Sequence, residues 1–557
     1  MSASTVSPPA PAEAVARSDA IYDTTMTTRK RRKDSRRSRP LVRLWDGNWA
    51  LRGIVAAEYD ASFGWMLNET GVARVTLPAD HYLARWVMDA QKRTTQNVHI
   101  TADHLGARWG GRLRKATLKK SESGLMTVVL TFAHDVEELK FLTAWSNPLL
   151  PDFVQFPKYF TLVGPSAWTL KLTLFLNLLR LQFSDFVLSD DPLNPATWFD
   201  WDQSQWPIVV APGTLLSDTS LWCIINSRWT NFFDLAKPIL DDAELMVVCR
   251  RWLEGDPLPW PGARLRNGAL VVDIVDRSGW YSGATSAGGT MWDGLRRTVF
   301  QMATDLVEGV LVDATDATDA SEYLLENWMG TKPEHPWVVY REDDITGIQS
   351  SEFTIVPATA TRIGVGGKSA PGVNEGIGMA IQAAGDALAA VPFMVPVGGI
   401  LDTLLKPVYE NALLAWISIN NPLRAKALGW SHYREHFQRG ADRAYTLSSL
   451  IALRAGYYAT RGFHSHKLTI ADGSPYYIGE NGRGHFFLGD RIGASIAGGP
   501  PGKVFVDRVT ELELSWKRGQ APAWAITVGQ DADTDPFAKV LQHIQTIMGD
   551  LHAIGVI

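Results

Sequence analysis

The chain has 557 residues, 46% of them hydrophobic and 20% charged, with a formal net charge of −5. That length is more than one hydrophobic core supports, so several packed units are expected, and the ordinary hydrophobic fraction excludes a largely disordered polypeptide. Cys223 and Cys249 are the only cysteines and no CxxC occurs, which excludes a disulfide framework and a cysteine-rich zinc site and leaves two lone buried thiols.

The N-terminus is Pro-, Ala- and Ser-rich where a secretory signal would carry a charged stretch and then an apolar one. No uncharged apolar run reaches the roughly 18 residues of a spanning helix. Synthesis in the cytoplasm without a membrane span is therefore expected. Residues 29–39, RKRRKDSRRSR, hold eight basic residues and one acid, leaving 46 basic against 58 acidic residues elsewhere, a body near −12. Residues 1–40 are thus read as a basic, flexible arm, either solvated or tethering the chain to an acidic surface or nucleic acid.

From Leu41 the pattern changes to short apolar runs separated by turn residues, with Asp46-Gly47 and Ser123-Gly124 between runs, so 41–138 reads as a first β-barrel or sandwich. Residues 139–265 form a mixed α/β insertion with an amphipathic helix at 169–183. Residues 266–362 are read as a second β unit with a helix over 292–309, and 363–460 as a helical region. Within the latter lies ALAAVPFMVPVGGIL, residues 387–401, which is uncharged and broken by Pro392, Pro396, Gly398 and Gly399. Residues 461–535 form a third β unit completing a barrel, with a turn at Asp472-Gly473, and 536–557 a C-terminal helix. The expected class is α+β multidomain, β-barrel domains with helical insertions. Tryptophan is abundant, 22 residues spread from Trp45 to Trp524, and an even spread favours packing and subunit contacts over one cofactor site.

Each chemical motif lacks a part. His432-Tyr433-Arg434-Glu435-His436 matches H-x-x-E-H, which on a helix would place His432 and His436 as zinc ligands and Glu435 as base. The third ligand would be Glu511 or Glu513, yet TELELSW alternates as a strand. GVGGKSAPG, residues 364–372, has Arg362 where a phosphate loop needs glycine. GASIAG at 493–498 and GWYSG at 279–283 miss the nucleophile elbow, and Asp313, Asp316 and Asp319 miss the spacing of a calcium loop. His464 and His466 share one side of a strand without a third ligand. Trp198, Trp201 and Trp206 beside Asp200 and Asp202 present either a sugar-stacking cluster or a subunit contact. No catalytic, cofactor or metal residue is assigned.

The strings WDGNWALRG, WGGRL, LVVDIVDRSG, VVYR, GGKSAPGVNE, ALGWSHYREHF, RAYTLSSLIALRAG, DGSPYYIGENGRGHFFLGDRIG and VFVDRVTELELSW, in this order, resemble the minor tail protein (Gp37-like) family of actinobacterial siphophages from about Trp45 to the C-terminus. The resemblance implies a non-enzymatic virion protein, the central hub of a tail tip. It would be a homotrimer with paired β-barrels in each subunit. The partners it implies are the distal tail protein ring, the C-terminus of the tape-measure protein and downstream minor tail or fibre proteins. Contact with the host envelope would be transient, and no specific nucleic-acid binding is expected. Two other readings rest on single motifs: a tail-associated zinc peptidase or cell-wall hydrolase, and a glycan-binding receptor module.

Overall fold

A computed structural model describes residues 11–182 apart from 123, 158 and 159; 203–278; 290–291; 311–313; 338–341; 347–366; 416–438; and 452–529 apart from 454, 455, 458, 471, 473, 474, 496, 497 and 499–502. The first element corrects an expectation: residues read as a flexible arm form a 27-residue helix, α1 (Pro11–Arg37). The reason is local. Proline suits a first helical turn, and no Gly or Pro interrupts the chain from Ala12 until Pro40.

The next seven strands are β1 (Leu41–Asp46), β2 (Leu51–Val55), β3 (Asp60–Met66), β4 (Val72–Pro78), β5 (Val98–His104), β6 (Ala107–Lys120) and β7 (Met126–His134), with a short helix α2 (Tyr82–Met88) between β4 and β5. Turn chemistry sets the first hairpin: the Asp46 carboxylate accepts from the backbone N–H of Asn48 and of Ala50, each at 2.9 Å. At the β6–β7 turn, Gly124 adopts φ +83°, and the Ser121 hydroxyl accepts from Leu125 N–H. Side chains alternate as a half-buried strand requires. Ala73, Val75 and Leu77 of β4 are fully buried, whereas Val72 and Arg74, which alternate with them, are exposed.

An α/β insertion follows. It comprises β8 (Thr143–Ala144), β9 (Phe160–Pro165), α3 (Ser166–Gln182), β10 (Ile208–Val210), β11 (Trp222–Ser227), β12 (Thr230–Asn231), α4 (Phe232–Asp242), β13 (Leu245–Arg251) and β14 (Leu270–Asp276). The helix expected at 169–183 is α3, which buries Leu170, Leu174 and Leu178 at four-residue spacing. The Asn231 side chain caps α4 by accepting from Phe233 and Asp234 N–H. β14 pairs antiparallel with β13 and parallel with β10. The strand GALVVDIVD, beyond the joint expected at 265, therefore belongs to the insertion's sheet. A second core of α3, α4 and these strands is separate from that of the first seven strands.

The remaining elements are β15 (Leu311–Asp313), β16 (Val339–Tyr340), β17 (Ile348–Val356), β18 (Ala360–Gly366), β19 (Trp416–Asn420), α5 (Pro422–Leu428), β20 (Tyr433–Phe437), β21 (Phe463–Ile470), β22 (Arg491–Ala494), β23 (Lys503–Lys517) and β24 (Ala523–Val528). β23 returns to the start of the chain and pairs antiparallel with β3, from Glu511 opposite Met66 to Lys517 opposite Asp60. One sheet results, in the order β17-β21-β24-β23-β3-β4-β7-β6-β5-β1-β2, with β15 and β22 paired to β23 and β16 paired to β22. Its core mixes both ends of the chain: Phe63 stacks on Trp516 at 5.6 Å, and Trp65 lies 5.3 Å from Trp524. Among the described residues the fold is mostly β, with the longer helices in the arm and insertion.

β18, β19 and β20 form a separate small sheet. Two of its strands fall in the region expected to be helical, because Ile417 and Ile419 alternate with Ser418 and Asn420 and turn their branched side chains toward Ile363, Val365 and Leu453. The apolar segment 387–401, the helix expected at 292–309 and the C-terminal helix at 536–557 lie outside the described residues.

Candidate functional site

The chemistry-bearing side chains converge where the two cores meet, and β13 is the element that joins them. Its alternate side chains serve different cores: Leu245, Val247 and Cys249 pack into the insertion, while Met246 packs into the large sheet's core. Asn68, held at φ 50°, uses its side-chain amide as a substitute strand partner. Its Nδ2 donates to Leu245 O at 2.8 Å, and its Oδ1 accepts from Val247 N–H at 3.0 Å.

At the far end of β13, Arg251 Nη2 donates to Asp135 Oδ1 at 2.7 Å, and its Nη1 donates to Gly268 O at 3.1 Å. Both side chains are out of water, 4% and 0% exposed. The guanidinium lies over Trp49 at 4.8 Å, and Trp49 stacks on His99 at 4.7 Å. Gly268, at φ +83°, leaves the space for that ring, since a Cβ there would sit 2.0 Å from Trp49 Cγ. Beside them Arg108 donates through Nε to Asp103 at 2.6 Å, through Nη1 to Arg251 O at 3.0 Å, and pairs with Asp256. At the near end, Glu244 pairs with Arg491 of β22 at 2.5 Å, and Arg277 with Asp490 at 2.8 Å. Charged pairs thus join the insertion to both N-terminal and C-terminal strands.

Three histidines of the large sheet are buried. Burial pushes His99 down to about 3, and His104 and His134 down to about 4. Asp507 moves the opposite way, raised by burial to about 6. For a histidine depressed in the fold, the unfolded chain takes up the proton first. The folded state therefore loses stability as pH falls below about 6.5, and the loss grows until the folded value is reached. His104→Phe should flatten that dependence, removing about 1–2 kcal/mol of acid destabilisation at pH 5, as read from denaturant midpoints at pH 7 and pH 5. An unchanged slope would show that His104 is protonated in the fold. Burial also raises both thiols, Cys223 to about 12 and Cys249 further, so neither is poised as a nucleophile.

The residues singled out in the sequence are not brought together. H-x-x-E-H lies on a strand rather than a helix, correcting that part of the zinc reading. Glu435 and His436, adjacent on β20, point to opposite faces, and Glu435 pairs with Arg362 at 3.2 Å. His432 Nδ1 lies 2.5 Å from Gly429 O, and His436 Nε2 lies 3.3 Å from Gln438 Oε1. Glu511 and Glu513 sit in the large sheet rather than in the small one. Among the described residues, no group of three His, Cys, Asp or Glu side chains is placed to hold a metal. Gly364 and Arg362 belong to β18, Gly493 to β22 and Asp313 to β15. His466 is buried against Phe353 and Phe505. Trp206 is buried near Phe175 and so does not offer a face to a sugar. Trp198, Asp200, Trp201, Asp202, Asp316 and Asp319 lie outside the described residues, as does GWYSG.

Sequence reasoning missed two exposed apolar surfaces. The loop 147–156 is held by its own amides, Gln155 Nε2 donating to Leu150 O and Pro151 O, so that Leu149, Phe153 and Phe156 project into solvent, the two phenylalanines 78% and 77% exposed. On the small sheet Trp416 and Phe437 meet edge to face at 5.4 Å across Gly364, with Tyr433 exposed nearby in sequence. The amide-locked loop has one visible signal, an Asn and a Gln flanking a Pro-bounded apolar run.

A β scaffold with interlocked cores, charged seams and exposed apolar projections is the architecture of an assembly component. Residues 41–530 match the family described as Siphovirus ReqiPepy6 Gp37-like protein. Full-length relatives include the minor tail protein Gp28 of Mycobacterium phage L5, 35% identical over 95% of this chain and 97% of the relative, and that of Mycobacterium phage D29, 33% identical over 98% and 99%. The chain belongs to this siphophage Gp37-like family and is a minor tail protein, a structural component of the virion that assembles with other tail proteins. Similar solved structures include the tail protein from Neisseria meningitidis MC58, at TM-score 0.37 and 10% identity over 89% of this chain and 97% of that one. Another is prophage tail protein gp18 from Listeria monocytogenes EGD-e, at TM-score 0.39 and 10% identity over 91% and 99%.

Proposed function

We propose that this chain is the central hub of the tail tip, a homotrimer that performs no chemistry, joins the distal tail ring to host-engaging proteins and closes the channel around the end of the tape measure. The observation that supports it most is full-length kinship with minor tail proteins, joined to a fold in which β23 closes onto β3 and brings early and late strands into one sheet. A protein that transmits attachment forces benefits when its first and last described strands, β1–β3 and β23–β24, share one sheet. The exposed loop 147–156 and the Trp416–Phe437 face supply apolar surface of the kind subunit contacts bury.

Purified protein should be trimeric by mass measurement and contain no stoichiometric zinc. His436→Ala phage should plate within a fewfold of wild type. A zinc-loaded monomer, or loss of infectivity by intact His436→Ala particles, would overturn the reading in favour of a tail peptidase.

A further inference from the structure

The arm helix α1 is fixed at its base and bare along its length. Arg36 pairs with Asp472 at 3.2 Å and lies over the Tyr477 ring at 5.7 Å. Just beyond the helix, Arg39 Nε donates to Glu58 Oε1 at 3.0 Å, and the same oxygen accepts from Trp516 Nε1 at 2.7 Å. Because Glu58 is buried and Trp516 lies on β23, the arm is clamped to the core of the large sheet. Above that clamp the described side chains are exposed, apart from Thr28, which is half-buried.

A helix in this state is poorly stabilised by its own residues. Val15, Tyr22 and Met26 form a thin line on one side, all exposed, so no core among the described residues holds it. Residues 29–37 carry seven basic residues against Asp34 alone. Arg29 and Lys33, and Lys33 and Arg37, are like charges four residues apart, a spacing that destabilises a helix, although cations near its C-terminus offset part of that cost. The missing stabilisation must be anionic, with a short apolar strip beside it.

We propose that α1 docks on the acidic body of a second copy of this chain, each arm gripping the next subunit around the trimer. The inference rests on the trimeric reading above. Charge complementarity carries it: outside residues 29–39 each chain holds 46 basic and 58 acidic residues, so copies without arms repel, and the arm supplies the opposite sign. The arm's base already uses the body's own carboxylates, Glu58 and Asp472, rather than phosphate-like groups. An arm passed head-to-tail to a neighbour makes a ring that closes at three copies.

The test uses the full chain with Arg29, Lys30, Arg31 and Lys33 all changed to Gln, keeping Arg36 and Arg39. Sedimentation of both proteins is compared at about 0.05 M and about 0.5 M salt. Wild-type assembly should weaken at least about tenfold on raising the salt, while the variant should be that weak at low salt and respond little. A trimer equally stable in both proteins at both salts overturns arm exchange and leaves the hub reading standing. Protein that is monomeric under every condition overturns both. Wild-type binding to a short DNA duplex that the variant loses, with assembly unchanged, overturns the proposal in favour of a nucleic-acid partner.

Discussion

Replacing Asp135 with Ala is expected to destabilise the protein by about 3 kcal/mol, because it takes the nearer of two carboxylates from the Arg251 guanidinium in a site closed to water and leaves only Glu138, at 3.4 Å, as a counter-charge. Domains of this size have stabilities of about 5–15 kcal/mol, so a large share of the folding free energy should be lost and the denaturation midpoint should fall clearly. The companion measurement is the double substitution Asp135→Leu with Arg251→Met. Removing both charges also removes the uncompensated desolvation, so the double variant should be more stable than Asp135→Ala. Equal or greater instability of the double variant would mean that the pair's geometry, including the contact of Arg251 with Trp49, is itself needed to seat the insertion.

The second large effect lies in the strand that closes the sheet. Leu512 of β23 is fully buried between the N-terminal and C-terminal strands, and Leu512→Asp would place a carboxylate there with no partner. We expect insoluble protein and no incorporation into tails. Glu513→Gln, one residue along and on the opposite face, should leave expression and assembly unchanged. Comparable loss from both substitutions would contradict the register in which Leu512 lies opposite Trp65 and Glu513 opposite Gly64.

Much of this fold is written locally. Alternation in Val72–Pro78, turn residues at Asp46-Gly47 and the spacing of Leu170, Leu174 and Leu178 each identify their element from a few neighbours, because each reports only which side of one element faces a core. The α1 helix was legible too, through Pro11 and the unbroken run to Pro40, but the density of positive charge suggests a solvated coil instead. Long-range partnership was not legible. Trp516 and Glu58 are 458 residues apart in sequence, and nothing in either neighbourhood encodes that they meet. β13 hid its role for a different reason: a strand buried on both faces reads as continuously apolar, so LMVVC does not reveal that Met246 and Val247 enter different cores. Of the chemical motifs, H-x-x-E-H misled because its meaning depends on helical spacing, whereas the chain there is extended beside β18. The charged seam went unseen because Asp135, Arg251 and Arg108 are scattered in sequence and only the packing of two cores assembles them.

The central claim, a hub at the tail tip, is tested most directly by electron microscopy of intact virions bearing gold-labelled antibody fragments raised against this chain. The account predicts label confined to the distal end of the tail, with density there of threefold symmetry. Label along the tube, at the head–tail junction, or absent from particles that still carry the chain's neighbours would contradict it.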